Sequence, residues 1–412
     1  MAKQDIVGSV DLGSNHVVCV VGRPSDNGII EVLGAGRVET KGIKNGVVVD
    51  VKEASEAIEA AVRSAEESSD QVLKHLYVAL RGSHLESHNS RGTVAISRTD
   101  KEITEEDVDA AVETAKRNIR ISADREIIHS IPQGFTVNSQ TGILNPVGMD
   151  GSHLEVEIHV ITASCDHLNN IQKAIARAGF DVVEFIYGVL SLGECVVTQE
   201  EKDLGCILVD IGGLSTGIVL YQNGGIQTSS EIEVGSDNIT KDLAHFLKTK
   251  AKTAAEIKEK YGVAMKKLMK ADEASQKISY TGIDDKTPRE IKRQEIIPPI
   301  ESRLDQIVTF MADSVAKVGY SQELFAAGVI LAGGGSRLKR IDEAFQEWLK
   351  LSARVGIVTD VEGEADVVGN PSYHTAISML KYHFGDTRSA KPRRGGGKGM
   401  WQSVSKWWEE AF

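Results

Sequence analysis

Cysteine is scarce in this chain: four residues in 412 (Cys19, Cys165, Cys195, Cys206), all in apolar surroundings and none in C-x-x-C spacing. That spacing excludes a zinc ribbon and gives no disulfide framework; buried thiols in a reducing, cytoplasmic compartment are expected. Long hydrophobic runs are missing too. Nothing approaches the roughly 18 apolar residues of a membrane span. The N-terminus enters a β-branched run with no basic leader before it, so no signal peptide is read. Positive charge is short: the net charge is -12, which argues against general nucleic-acid binding. Aromatics make up only 5%, yet Trp401, Trp407 and Trp408, three of the four tryptophans, fall in the last dozen residues.

What is present is organised around Cys206-Ile-Leu-Val-Asp-Ile-Gly-Gly-Leu-Ser-Thr-Gly-Ile-Val-Leu. Two β-branched runs flank a turn, which predicts a buried hairpin. Gly212 and Gly213 let backbone N–H groups close on an anion, and Ser215 and Thr216 add hydroxyls. Asp210 would repel phosphate, so its expected part is to hold a hydrated Mg²⁺ through water. The N-terminal run Ile6–Val21 repeats the pattern, Asp11 matching Asp210 and Gly13 matching Gly212. Two such hairpins, one opening each half, imply a duplicated architecture that clamps a nucleotide triphosphate; the bland reading is a pair of ordinary turns. A third motif, Gly328-Val-Ile-Leu-Ala-Gly-Gly-Gly-Ser, follows a buried strand with Gly333, Gly334 and Gly335 and is expected to open a helix, where a flat adenosine and its phosphates approach bare backbone.

Between these motifs, Asp50 caps a predicted helix with a small-residue face (Ala54, Ala57, Ile58, Ala61, Val62, Ala65), and Leu76–Leu80 is a strand ending at Arg81-Gly82. From Ser83 the texture changes to a compact α+β insertion. Its last strand, from Leu154, alternates as if half exposed, and His129, His153 and His159 lack metal-ligand spacing and read as structural or surface residues. Lys241–Arg293 holds 14 basic against 8 acidic residues, either a solvated face or a surface for an acidic partner. A long helix is expected over Pro299–Val318. Residues 386–399 (DTRSAKPRRGGGKG) are a Gly/Pro/basic linker. In 400–412, Met400, Trp401, Val404, Trp407, Trp408 and Phe412 share one arc of a helical wheel. The segment either docks on the core or lies in a bilayer interface, which Trp favours.

The three ordered glycine motifs, the insertion in the first half and the terminal amphipathic segment together resemble the FtsA family, over nearly the whole chain. These are actin-like bacterial division proteins that tether FtsZ filaments to the inner membrane. The resemblance implies an α/β, actin-like (ribonuclease H-like, duplicated) ATPase fold: subdomain 1A at 1–82 and 165–204, an inserted 1C at 83–164 in place of actin's 1B, 2A at 205–240 and 319–385, 2B at 241–318, then the linker and the membrane helix. It implies ATP and Mg²⁺ as ligands. The first phosphate loop is Asp11, Gly13, Ser14 and Asn15; the second is Asp210, Gly212, Gly213, Ser215 and Thr216. Gly333, Gly334, Gly335 and Ser336 form the adenosine motif, and Gly235 and Asn238 line the cleft. The implied partners are the FtsZ C-terminal peptide on 2B, other copies in a filament, later division proteins through 1C, and the cytoplasmic face of the inner membrane at the septum. Three departures stand out. Leu214 replaces a third glycine and is expected to crowd the second loop, and Ser378 replaces a frequent glycine of the last helix. Gly188-Val-Leu-Ser runs through the segment where hydrolytic relatives carry a glutamate near Val189. ATP binding with at most weak hydrolysis is therefore expected. A small-molecule kinase or a pilus-assembly ATPase of the same superfold is the alternative.

Overall fold

The structure is a computed structural model and describes residues 6–25, 27–284, 286–317, 319 and 324–387. Two mixed sheets form its frame, and they repeat one plan. In the first, Val7–Leu12 pairs antiparallel with His16–Pro24 and parallel with His75–Leu80. In the second, Cys206–Ile211 pairs antiparallel with Thr216–Gln222 and parallel with Gly328–Ala332. The duplication read from the two Asp-x-Gly runs is thus a duplication of strand pairing. All six residues of each central strand are buried, as near-continuous apolar runs demand when both faces are covered.

The parallel neighbour of Val7–Leu12 requires a crossover, supplied by the helix Val51–Ser69. Asp50 caps it, its Oδ1 accepting from the N–H groups of Lys52 and Glu53 at 2.9 and 3.0 Å. The expected small-residue face is the buried face. Its alanines are dictated by Gly36 of the strand beneath, where a Cβ would stand 2.0 Å from the Ala61 carbonyl oxygen. Helix and sheet approach at backbone distance there.

The insertion carries a sheet of its own, ordered Leu85–Ala95, His153–Ser164, Arg125–Val137, Gln140–Ile143. The helix Glu105–Asn118 packs on it through Val108, Ala111, Val112 and Ala115. His153–Ser164 alternates only at its start; from Ile158 to Ala163 every residue is buried. The expectation of a half-exposed strand fails because this end lies between two strands and also packs toward the second sheet's edge strand, Gly225–Ile232. The seam is polar. The Ser87 hydroxyl donates to the Ser229 carbonyl at 2.5 Å, and the Gln133 amide donates to the carbonyls of Ile226 and Gln227. His159 bridges Asn89 Oδ1 (2.7 Å) and Ser229 Oγ (2.8 Å), so its Nδ1 donates and its Nε2 accepts. His129 Nε2 accepts the Tyr187 N–H at 2.9 Å. Both rings are buried; His153 is exposed.

In the second half the long helix is Ile297–Lys317, starting two residues before the expected Pro299. Pro298 and Pro299 sit in its first turn, where a missing N–H costs no hydrogen bond. Part of the local basic excess is structural: Arg293 is buried, donating to Glu273 and to the Tyr261 carbonyl. The last described helix, His374–Thr387, runs past Asp386, where the linker was expected to begin. Ser378 lies fully buried inside it, its hydroxyl donating to the His374 carbonyl. Met400, Trp401, Val404, Trp407, Trp408 and Phe412 lie outside the described residues. Among the described residues no helix is long and apolar enough to cross a membrane.

The seam should be acid-labile. Burial lowers the pKa of His129 to about 4, and burial with neighbouring His129 and His88 lowers that of His159 to about 3. A depressed histidine contributes stability that is present above its unfolded value and is lost as pH falls toward the folded one. Between about pH 7 and pH 5 each ring should cost about 2 kcal/mol, read from urea midpoints. His129→Gln, which can still accept the Tyr187 N–H, should flatten that slope. An unchanged slope would place the acid sensitivity elsewhere.

Candidate functional site

The turn ends of the two sheets meet at a cavity of about 270 Å³. Asp11, Gly13, Ser14 and Asn15 line it from the first hairpin, Gly212 and Gly213 from the second, and Gly333, Gly334 and Gly335 from the third motif. The first turn is held by the Asn45 N–H, which donates to Ser14 Oγ at 3.1 Å. The second is closed by the Gly212 N–H on the Ser215 carbonyl at 2.9 Å. The helix Ser236–Leu247 then docks its first N–H groups on that turn, Ser236 to the Gly212 carbonyl and Asp237 to the Gly213 carbonyl. A Cβ at Gly235 would stand 2.5 Å from the Gly213 oxygen, so only glycine permits this docking.

Several expected site residues stand behind the cavity wall. Gly235 and Asn238 support the second turn, the Asn238 Oδ1 accepting the Gly235 N–H at 3.0 Å. Ser215 is buried, and the Thr216 hydroxyl is committed to the Val234 carbonyl at 2.7 Å. Ser336 Oγ donates to the Gly333 carbonyl. Asp210 lies just beneath the surface at 3% exposure. Leu214 does not line the cavity and leaves the second turn open toward it.

The third motif differs from expectation in its chain path. The glycines open a short 3-10 turn, Gly334–Arg337, and the α-helix begins only at Ile341, after Arg340 adopts a left-handed conformation. The three glycines also have separate duties. At Gly333 (φ +75) a Cβ would meet Asp210 Oδ1 at 2.2 Å, and at Gly335 it would meet Ile211 Cγ2 at 2.3 Å. At Gly334 the nearest atom is Ser372 Oγ at 3.8 Å. Gly333 and Gly335 let the strand ends close; Gly334 presents bare backbone to open space.

Sequence reading missed most of the charged lining: Arg37, Arg81, Asp237, Lys258, Glu259 and Arg337, with Thr375 beside them. Arg81 is central. Its Nε lies 3.0 Å from Asp11 Oδ1, and its Nη2 lies 3.2 Å from Asp11 Oδ2, 3.3 Å from Asp210 Oδ2 and 2.8 Å from Thr375 Oγ1. One guanidinium thus joins carboxylates from both halves of the chain. Burial works against its charge, but Asp11, Asp210 and Glu231 outweigh that and hold its pKa above the ordinary value. Burial raises the pKa of Asp11, with Arg81 opposing and Asp210 adding to the rise. The signal was positional: His75–Leu80 runs parallel to Val7–Leu12 with Ala79 opposite Asp11, so the residue two further on emerges beside the first turn. Across the cavity, Asn15 Nδ2 donates to Asp237 Oδ2 at 2.6 Å. Lys258 Nζ donates to the Ser236 carbonyl, its pKa lowered by burial against the pull of Asp237 and Glu259.

Known proteins resemble the chain at each of these levels. The family model for the SHS2 domain inserted in FtsA matches residues 82–162, and that for cell division protein FtsA matches residues 207–378. The cell division protein FtsA of Pseudomonas aeruginosa is 34% identical over 377 residues, covering 92% of this chain and 88% of its own. That of Neisseria meningitidis is 32% identical over 418 residues, covering 100% and 99%. Among solved structures, the PilM-PilN type IV pilus biogenesis complex aligns with a TM-score of 0.64 at 16% identity, over 92% of this chain and 98% of that one. MreB 5 of Spiroplasma citri bound to AMPPNP aligns at 0.51 and 14%, over 93% and 97%, and the MamK double helical filament at 0.51 and 12%, over 92% and 98%. These likenesses show an actin-like fold.

The glycine assignments are testable without any ligand. Gly333→Ala and Gly335→Ala should each cost about 2–3 kcal/mol of stability, whereas Gly334→Ala should stay within about 0.5. Urea melts of the three variants check this, and equal losses at all three would mean that Gly334 is packed rather than open.

Proposed function

Because this chain belongs to the FtsA family of cell division proteins, we propose that its cleft holds ATP with Mg²⁺ and that the loaded protein assembles with its own copies to tether FtsZ filaments to the inner membrane. The observation that carries the reading is the convergence of two Asp-x-Gly turns and one open glycine on a single cavity. The residues present fit the ligand. Among the described residues, Asp210 Oδ1 is buried without a hydrogen-bond partner, and Asp11 Oδ1 has only the unaligned Arg81 contact. Such acceptors suit a hydrated magnesium ion. Magnesium would supply neutralisation of the phosphate charge. The backbone of Gly13, Gly212 and Gly213 with Ser14 would cradle the phosphates, and the adenosine would lie over Gly334.

Hydrolysis should be slow. A general base must be free to reach a water in line with the terminal phosphate. Of the carboxylates that line the cavity, Asp11 is tied to Arg81 and Asp237 to Asn15, and the third, Glu259, stands exposed to solvent. Val189 sits buried in a helix with an apolar side chain. Support for nucleotide and filament comes from the fold's solved relatives, one bound to AMPPNP and one a double helical filament. The basic Lys241–Arg293 region would receive the FtsZ C-terminal peptide, the inserted 1C would serve self-assembly and later division proteins, and residues 400–412 would lie on the cytoplasmic face of the membrane at the septum.

ATP with Mg²⁺ should raise the melting temperature, since a ligand of the native state stabilises it by mass action. Gly334→Leu should abolish that rise while keeping the unliganded melting temperature, because the added side chain occupies the ligand's space. A rise that survives in the variant would put the nucleotide elsewhere.

The tail should be a weak, reversible anchor. Glu409 and Glu410 oppose binding to an anionic surface, and the linker cations Arg388, Lys391, Arg393, Arg394 and Lys398 help by about 1 kcal/mol each. Many tails on one filament would bind firmly together. In liposome co-sedimentation with FtsZ and ATP, Trp408→Glu should release both proteins while leaving the ATP-induced stabilisation intact. A variant that lost its fold would show the tail to be a docked core helix.

A further inference from the structure

We propose that Arg81 is a built-in countercation that neutralises the Asp11–Asp210 pair in the metal-free cleft and so makes divalent-metal binding depend on nucleotide phosphate. The inference rests on the nucleotide reading above and assigns Arg81 as a positioning residue within it.

The geometry is that of a filled cation position. Arg81, Asp11 and Asp210 have side-chain exposures of 13%, 10% and 3%, so the ion pairs stand largely outside water. In that setting a unit charge a few ångströms away is felt strongly. A third carboxylate joins the cluster, though burial pushes its pKa up to about 7. Glu231 stands in register with Gly217, which itself stands in register with Asp210. Gly217 carries no side chain, and Glu231 Oε1 occupies the space where its Cβ would be, at 2.8 Å. Three carboxylates therefore act on one guanidinium.

The hydrogen bonding is incomplete as well. Among the described residues, Asp11 Oδ1, Asp210 Oδ1 and Arg81 Nε are buried without aligned partners. Unpaired buried acceptors beside a cavity are an invitation to a second cation. A lone metal ion, however, meets a site already occupied by the guanidinium, and like charges repel.

The Arg81 backbone is fixed while its side chain borders the cavity. A Cβ at Gly46 would stand 1.7 Å from the Arg81 carbonyl oxygen, and one at Gly82 would stand 1.9 Å from the Asn45 oxygen. An arriving phosphate gives the guanidinium a new anionic partner with matching fork geometry, and both carboxylates are then free for the metal. Metal and nucleotide enter together for electrostatic reasons.

The test uses the full chain and metal without nucleotide. In the wild type, Mn²⁺ alone, followed by its paramagnetic resonance signal, should stay free, and ATP should bring one equivalent into the protein. Arg81→Gln should lower the melting temperature in a chelator by about 5 °C or more, and Mg²⁺ alone should restore it. Mn²⁺ alone should bind this variant at least about tenfold more tightly than the wild type. Arg81→Gln with Asp210→Asn, which removes the repulsion, should be stable in chelator and lose the response to metal alone. If Arg81→Gln does not fold, Arg81→Lys carries the same metal-only comparison, since a point charge cannot hold both carboxylates and Thr375. Metal-only binding equal in wild type and the Arg81 single variants would overturn the proposal, as would tight Mn²⁺ binding by the wild type without ATP. A wild type that binds no ATP would defeat the nucleotide reading, while the metal-only comparison would still decide the part played by Arg81.

Discussion

Two buried carboxylates and one guanidinium set the terms for the rest of the molecule. Asp11 belongs to the first sheet and Asp210 to the second, and Arg81 contacts both. Neither acid could remain charged so far from water without a cation. Tyr187 of the first sheet adds a further contact between the halves, its hydroxyl donating to the Ser230 carbonyl of the second. The turns, helices and insertion are arranged so that this contact forms at the bottom of an open cleft.

Close approach is the means. The strand ends reach each other because Gly333, Gly335 and Gly235 remove side chains where another backbone or carboxylate must pass. The same economy recurs under the helix Val51–Ser69, where Gly36 meets the alanine face. Where a side chain is absent but no atom replaces it, as at Gly334, space for a ligand is left. Close packing and open space are therefore two uses of one residue type, separated only by what stands opposite.

On the side of the second half, one strand joins the insertion to this centre. Gly225–Ile232 offers its carbonyls at Ile226, Gln227 and Ser229 to the insertion and carries Glu231 toward Arg81. The Gly82 N–H, at the entry to the insertion, in turn bonds Glu231. This strand is one direct physical route between the insertion and the site.

Much of this was legible without coordinates. β-branched runs around Asp-x-Gly announced both central hairpins, since buried strands need apolar residues on both faces and tight turns need glycine. Capping by Asp50 and the alanine periodicity placed the crossover helix for equally local reasons. Local chemistry also named the residues of the cavity's three glycine walls. It could not say that Thr216 is spent on Val234, that Gly235 and Asn238 brace a turn from behind, or that Gly334 alone among three glycines faces open space. Those outcomes depend on which atoms from distant segments lie opposite. Arg81 is the sharpest case. In the sequence it is one charged residue after a strand; in the fold, parallel pairing with Val7–Leu12 brings it between acids 70 positions before it and 129 after it. Short-range pattern determined what each segment is, because backbone geometry and burial act over a few residues. The tertiary structure decided which charges meet, because electrostatic partnership depends on distance in space, which the order of the chain does not record.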